Sequence, residues 1–216
     1  MPLFAKPKPP TPPPEEEKKK KKGGRAVTVG AVLFLLAAVT GHGPTTATLS
    51  SADTTGDLAG GERAALAGNA IAAWRSVGLT RVGGTVERTS KCAARATGKV
   101  RAFLLRTPCA SLTEELVALR DGAGNVIVVS IVWVRMSSSA NATKLRDVED
   151  TYGTGDIAAI SGRAVGLPAV RFTAKHFGSR LVGARLTVAE AEPATGQATG
   201  QQADDAAAVA ADLPTP

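Results

Sequence analysis

Residues 126–136 read VIVVSIVWVRM, and eight of these eleven residues are valine, isoleucine or tryptophan. β-Branched and aromatic side chains favour strands, in which successive side chains point to opposite faces. One face of this strand carries Val128 and Val132, and the other carries Ile131 and Trp133. Because both faces are apolar, we predict a central strand of a sheet that is covered on both sides.

The segments before this strand are predicted, in chain order, as two strands and a helix, at residues 84–88, 100–106 and 111–121. The helix is predicted from its first turn, where Ser111 stands three residues before Glu114 in the pattern of a capping box. Leu112, Leu116 and Leu119 then follow at helical spacing.

The segments after the central strand are predicted as a helix, a hairpin and a terminal helix, at residues 138–151, 170–191 and 202–213. The hairpin turn is expected at residues 176–179. From residue 100 onward, the predicted elements are strand, helix, strand, helix, strand, strand and helix. This order is close to the split βαβ pattern, so residues 80–213 are predicted to form an α+β domain with a ferredoxin-like antiparallel sheet.

A ferredoxin-like sheet has its helices on one face, so the two apolar faces of residues 126–136 require a second cover. The terminal helix, a second copy of the sheet in a homodimer, or a helix within residues 57–77 could provide it. This last helix is predicted as a juxtamembrane helix over residues 58–79. Its helical spacing places one apolar stripe on one side: Leu66, Ala70, Trp74 and Val77. We expect Trp74 to be a core contact.

The N-terminal region contains an uncharged apolar run, AVTVGAVLFLLAAVTG, at residues 26–41. A span of the hydrocarbon core needs about 20 residues, and the uncharged residues that follow supply the missing length. We therefore predict one transmembrane helix at residues 26–43 and a Thr- and Ser-rich tether at 44–57. A cleaved signal peptide is the alternative, although the long polar region before the run and the lack of a small-residue cleavage site favour a retained anchor.

Residues 1–25 carry seven of the thirteen prolines and a charge of +5, out of +7 for the whole chain. This tail is predicted to be disordered, with residues 9–14 as an alternative docking peptide for an aromatic groove. Five consecutive lysines follow: Lys18, Lys19, Lys20, Lys21 and Lys22. We expect them to lie against anionic membrane lipid and to keep the tail in the cytoplasm. The chain after the anchor is then extracytoplasmic. The remaining charge of +2 is scattered and gives no indication of a nucleic-acid partner.

The two cysteines, Cys92 and Cys109, lie outside the membrane in this topology, where a pair most often forms a structural disulfide. A redox-active pair is an alternative, because Cys109 precedes the predicted helix at 111–121 and a helix N-terminus favours the thiolate. Two free, buried thiols are a third reading.

Catalytic and metal-binding patterns are weak. The only histidines are His42, at the end of the predicted anchor, and His176, which is too few for the common metal sites. No nucleophile-elbow motif accompanies His176, although Asp150 and Asp156 are acids that could be imagined beside it. We predict no catalytic residue, no metal and no cofactor, and expect His176 to be an ordinary packed or surface residue.

The layout of tail, short anchor, tether and small α+β domain resembles that of uncharacterised single-pass envelope proteins of actinobacteria. The segments FLLRTPCASL, VSIVWVRM, DTYGTGD and RLTVAEAEPATG carry this resemblance over residues 100–200. It implies a location in the cell membrane and implies no catalytic residue. The expected function is a membrane-tethered extracytoplasmic interaction module in cell-envelope assembly or maintenance; the alternatives are an envelope thiol oxidoreductase and a small-ligand binding domain on the sheet face.

Overall fold

A computed structural model describes residues 56–151 and 153–216. These residues form an α+β domain with a five-stranded antiparallel sheet. Its elements, in chain order, are α1 (Leu58–Leu66), α2 (Ala70–Ser76), β1 (Leu79–Thr89), α3 (Gly98–Arg106), β2 (Ser111–Asp121), β3 (Val126–Arg135), α4 (Ser139–Glu149), β4 (His176–Val182), β5 (Arg185–Thr195) and α5 (Gly200–Asp212). Short 3₁₀ turns occur at Cys92–Arg95 and Gly162–Val165.

The strand order in the sheet is β1-β2-β3-β5-β4, and all four neighbouring pairs are antiparallel. β5 lies between β3 and β4, so β3, α4 and β4 form one split βαβ unit. β1 and β2 are direct neighbours although α3 connects them. The predicted α+β class and antiparallel sheet are confirmed, but this strand order departs from that of a ferredoxin-like sheet, because β1 and β2 are adjacent.

The predicted central strand is confirmed as β3. Every residue of β3 before Arg135 is buried, on both faces. Neighbours on both sides satisfy its backbone, since it pairs with β2 along one edge and with β5 along the other.

One face of the sheet is covered by α1, α2 and α5, and we call it the helix-covered face. β3 contributes Ile127, Val129, Ile131 and Trp133 to this core, which also holds the buried Trp74 of α2. The chain thus provides two of the three predicted covers itself, and this face needs no second copy.

The predicted helix at 57–77 is two helices. Gly68 has φ +78° at the junction, and the Asn69 side chain accepts from the Ala72 N–H at 3.0 Å, which caps α2. The break removes Leu66 from the predicted stripe and leaves it 51% exposed. Trp74 is a core residue, as predicted.

The opposite face is covered by α3, α4 and a long loop, and we call it the loop-covered face. Near α3 and α4 its core contains Val132 and Val134 of β3. Farther along, Leu116 and Val128 lie under apolar residues of the loop between α4 and β4, which include Ile160, Val165, Leu167, Val170 and Phe172.

Two adjacent predictions were wrong: residues 100–106 are helix and residues 111–121 are strand. In α3, Val100 and Leu104 are buried while Arg101 is exposed, which is the pattern of one buried helical stripe. In β2, Leu116 belongs to the loop-covered face and Leu119 to the helix-covered face, so their spacing does not mark one helix side. Glu114 caps no helix; its carboxylate binds Arg95 at 2.8 Å.

The predicted hairpin exists as β4 and β5, but its turn lies at Gly183 and Ala184 instead of residues 176–179. Gly178 lies inside β4, at the point where α5 crosses the strand too closely for a side chain. A Cβ at Gly178 would stand 2.6 Å from the carbonyl oxygen of Ala207.

The predicted helices at 138–151 and 202–213 are confirmed as α4 and α5. Ser138 caps α4, and a capping box of Thr199 and Gln202 opens α5. In the part of the chain that the structure describes, no helix is long and apolar enough to cross a membrane. The predicted tail, the anchor at 26–43, and the tether at 44–57 up to residue 55 lie outside the described residues.

Candidate functional sites

Cys92 and Cys109 form a disulfide bond, with Cα atoms 6.2 Å apart and a sequence separation of 17 positions. The bond ties the 3₁₀ turn after β1 to the segment between α3 and β2. Cys92 is buried and Cys109 is half-buried. The expected disulfide is confirmed, and the reading of two free thiols is wrong.

The proposed helix activation of Cys109 is wrong, because β2 follows Cys109 and no helix begins there. The nearest preceding helix end is the C-terminus of α3, at Arg106. The partial negative charge at a helix C-terminus disfavours a thiolate. A hollow of about 380 Å³ does adjoin the disulfide, and Lys91 and Arg101 in its lining provide positive charge.

A groove of about 520 Å³ opens on the helix-covered face at the end of the sheet, beyond the last turn of α5. Strand ends, the β4–β5 turn and the C-terminal residues line it: Ser111, Thr113, Trp133, Arg135, Val182, Ala184, Arg185 and Thr215. We call it the sheet-end groove. It exists because α5 ends at Asp212 while the strands continue.

The strand register sets which side chains meet in the sheet-end groove. Arg135 of β3 stands opposite Ser111 of β2 on one side and opposite Arg185 of β5 on the other. One row deeper, Trp133 stands opposite Thr113. Two arginines are therefore direct cross-strand neighbours, with hydroxyl groups beside them.

The C-terminal residues form one wall of the groove. Trp133 is buried, and its Nε1–H donates to the Leu213 carbonyl at 2.9 Å. Arg88 of β1 donates to the Pro216 carbonyl at 3.1 Å. These two bonds hold the last residues across the strand ends.

Carboxylates on the loop-covered face connect the sheet to the segments that cover it. The Arg95 ion pair stabilises the Glu114 carboxylate, but burial has the larger effect and raises the pKa of Glu114 above its ordinary value. Glu190 accepts from the Ala174 N–H at 3.2 Å, and Glu192 accepts from the Thr173 N–H at 2.8 Å. These contacts satisfy loop backbone donors, which is a structural role.

His176 lies at the start of β4 and is buried, with Nδ1 2.7 Å from Asp204 Oδ1 on α5. The prediction of an ordinary packed residue is consistent with this position. Neither Asp150 nor Asp156 is its hydrogen-bond partner. Two turns along α5, Asp212 accepts from Arg180 at 2.7 Å, so both pairs attach α5 to β4.

Among the described residues, no group of three His, Cys, Asp or Glu side chains is arranged to hold a metal ion. The five lysines 18–22, predicted at the membrane surface, lie outside these residues. The structure brings together the two predicted cysteines and adds the sheet-end groove, which the sequence did not indicate. Arg135 and Arg185 are 50 positions apart in sequence, and only the correct hairpin turn predicts that they meet.

Comparison with models of known protein families, with curated protein sequences and with solved structures finds no match.

Proposed function

We propose that this chain is a membrane-tethered extracytoplasmic interaction module without catalytic activity, which acts in cell-envelope assembly or maintenance. The Cys92–Cys109 disulfide is the observation that carries this proposal. Disulfides persist in oxidising compartments outside the cytosol. The same location follows from an anchor at 26–43 preceded by the lysine run, under the positive-inside rule.

The sheet-end groove is the surface that best suits the interaction. Its arginines are held on strands, and strands position side chains more firmly than loops do. The partner we propose is an envelope component, while the lysine run contacts membrane lipid. A homodimer is a further proposal, but the sheet face no longer argues for it.

Site-specific photo-crosslinking in intact cells tests the interaction. A photoreactive residue at Val182, on the groove edge, should give adducts that weaken when Arg135 and Arg185 are both changed to glutamine. The same residue at Ile71, exposed on α2, is the matched control and should give no such arginine-dependent adduct. Equal crosslinking from both positions, or none from Val182, would count against an interaction at the groove.

An envelope thiol oxidoreductase is the second candidate. The half-buried Cys109 beside a hollow with Lys91 and Arg101 favours it, because cations stabilise a thiolate. The adjoining C-terminus of α3 acts in the opposite direction. Thiol trapping in cells decides between the two, since an oxidoreductase must show a reduced fraction and a mixed disulfide, whereas a structural bond stays fully oxidised.

The third candidate, a small-ligand domain that uses an open sheet face, loses its basis because both faces are covered by the chain itself. A small ligand would have to use the sheet-end groove.

A further inference from the structure

We propose that the sheet-end groove is a binding site for a phosphate group carried by a larger ligand. Ser111, Thr113, Arg135 and Arg185 would contact the phosphate. The inference deepens the proposed function by giving the interaction surface a ligand chemistry.

The first observation is an uncompensated pair of like charges. Arg135 and Arg185 are directly opposite each other on the adjacent strands β3 and β5. Like charges in directly opposite positions destabilise a sheet. The residue on the other side of Arg135 is Ser111, which carries no charge to balance them.

The second observation is that these guanidinium groups have no anionic partner. In residues 56–151 and 153–216, no carboxylate forms an ion pair with either arginine. Nε of Arg185 is buried and makes no hydrogen bond there. A buried donor without an acceptor costs free energy, so the protein alone does not satisfy the guanidinium group of Arg185.

The donors fit an oxyanion with several oxygens. Guanidinium groups bind phosphate and carboxylate through paired N–H donors, and they have no acceptor to offer. Here two such groups stand beside the hydroxyls of Ser111 and Thr113, so donors reach the groove from three strands: β2, β3 and β5. A tetrahedral phosphate presents oxygens in several directions and uses this arrangement better than a planar carboxylate with two oxygens.

The groove volume indicates that the phosphate is part of a larger molecule. About 520 Å³ lies within the range of small-molecule sites and exceeds what a single phosphate fills. The phosphate could belong to a phospholipid headgroup or to a soluble phosphate ester, which present the same group.

Binding is tested first with inorganic phosphate and pyrophosphate on the purified full chain in detergent, by calorimetry at constant ionic strength. The wild-type chain should bind both, and Arg135→Gln and Arg185→Gln should each weaken binding about tenfold or more, as expected for lost charge-assisted bonds. Arg185→Lys keeps the charge but loses the paired donors, so it should lie between wild type and Arg185→Gln. Arg106→Gln, at the exposed end of α3, is the matched control and should bind as wild type does.

A second measurement detects variants that fail to fold. Removing one arginine from an unneutralised like-charge pair should raise Tm in phosphate-free buffer, while phosphate should raise Tm less than it does for the wild type. A variant with lower Tm and unchanged phosphate binding would overturn the proposal, as would a wild-type chain that binds neither anion.

Vesicles separate the two sources of phosphate. Lysines 18–22 are changed to glutamine in this experiment, because they would bind anionic lipid themselves. Binding to phosphatidylglycerol-containing vesicles that is lost in the Arg135→Gln, Arg185→Gln double variant identifies a headgroup ligand; phosphate binding without vesicle binding identifies a soluble ester. Neither result depends on where the protein resides in the cell, so failure of the proposed location is seen separately.

Discussion

The two faces of the sheet are closed in different ways, although they share the same five strands. On the helix-covered face, three helices bring mainly small apolar side chains onto the sheet. On the loop-covered face, two helices cover one part and an irregular loop covers the rest. We therefore expect the same kind of substitution to cost a different free energy of unfolding on the two faces.

Close approach is the main feature of the helix-covered face. Four alanines of α5 are fully buried against the sheet: Ala203, Ala206, Ala207 and Ala210. Their small side chains let the helix backbone lie near Gly178 of β4. A regular helix satisfies its own backbone, so packing is joined here by one side-chain hydrogen bond, between His176 and Asp204, and one ion pair, between Arg180 and Asp212.

Side-chain acceptors are the main feature of the loop-covered face. A loop cannot satisfy its backbone donors internally, so Glu190 and Glu192 accept hydrogen bonds from it. The disulfide closes the same side, since Cys92 belongs to its core. This face therefore depends on specific bonds as well as on packing.

The largest effects are expected from cavities, and they should differ between the faces. Ile131→Ala, under the helices, should cost about 4 kcal/mol, and Leu116→Ala, under the loop, about 2–3 kcal/mol, because a loop relaxes into a cavity more easily than packed helices do. Both residues are fully buried. Urea unfolding of each variant measures the loss, and a larger cost for Leu116→Ala would reverse the comparison.

Loss of the disulfide should have the next largest effect. Changing Cys92 and Cys109 together to alanine should lower the free energy of unfolding by about 3 kcal/mol, because the open loop gains entropy in the unfolded chain. Unfolding with and without a reductant measures it. The reductant should weaken the wild type to the level of the double variant and leave the variant unchanged; equal stability of the two proteins under oxidising conditions would contradict a structural bond.

Gly178→Ala should cost about 1–3 kcal/mol, because the new Cβ would clash with backbone of α5 that cannot move away freely. Gly83→Ala is the matched control, since its Cβ would stand at 3.8 Å from the Ala118 side chain, an ordinary contact. Thermal unfolding compares the two variants. Equal Tm values would show that the close approach of α5 is not needed.

The smallest effect is a pH dependence on the loop-covered face. Because burial raises the pKa of Glu114 in the folded state, its contribution to stability is greatest below its ordinary pKa and falls as pH rises above about 4.5. Wild type should therefore lose stability relative to Glu114→Gln between acid and neutral pH. Urea unfolding across this range measures the difference, and a difference that grows in favour of wild type would contradict the role of burial.

The sequence was sufficient for β3, α4 and α5, whose patterns are long or have clear caps. It failed for α3 and β2, because a short run such as residues 100–106 fits either period. In β2, the adjacent Glu114 and Glu115 interrupt the apolar pattern of a buried strand. Both are nevertheless buried, on opposite faces, and each is paired with an arginine from another segment of the chain. Those partners, Arg95 and Arg81, become visible only once the chain is folded.

The sheet-end groove could not be predicted from the sequence for a related reason. Arg135 could be placed on the Trp133 face by alternation alone. Its neighbour Arg185 depends on the register of β5, and a hairpin turn placed at residues 176–179 gives the wrong register. An error of a few residues in the position of the turn is enough to miss the pairing of Arg135 with Arg185.

The most direct test of the central claim, a disulfide-stabilised domain tethered outside the membrane, is thiol labelling of the full chain in intact cells. The chain contains only Cys92 and Cys109, so every label reports on this pair. A membrane-impermeant maleimide should label the half-buried Cys109 only after an impermeant reductant is added, and the labelled protein should sediment with membranes. Thiols that are free without the reductant and are labelled only after lysis would place the domain in the cytosol and contradict the claim.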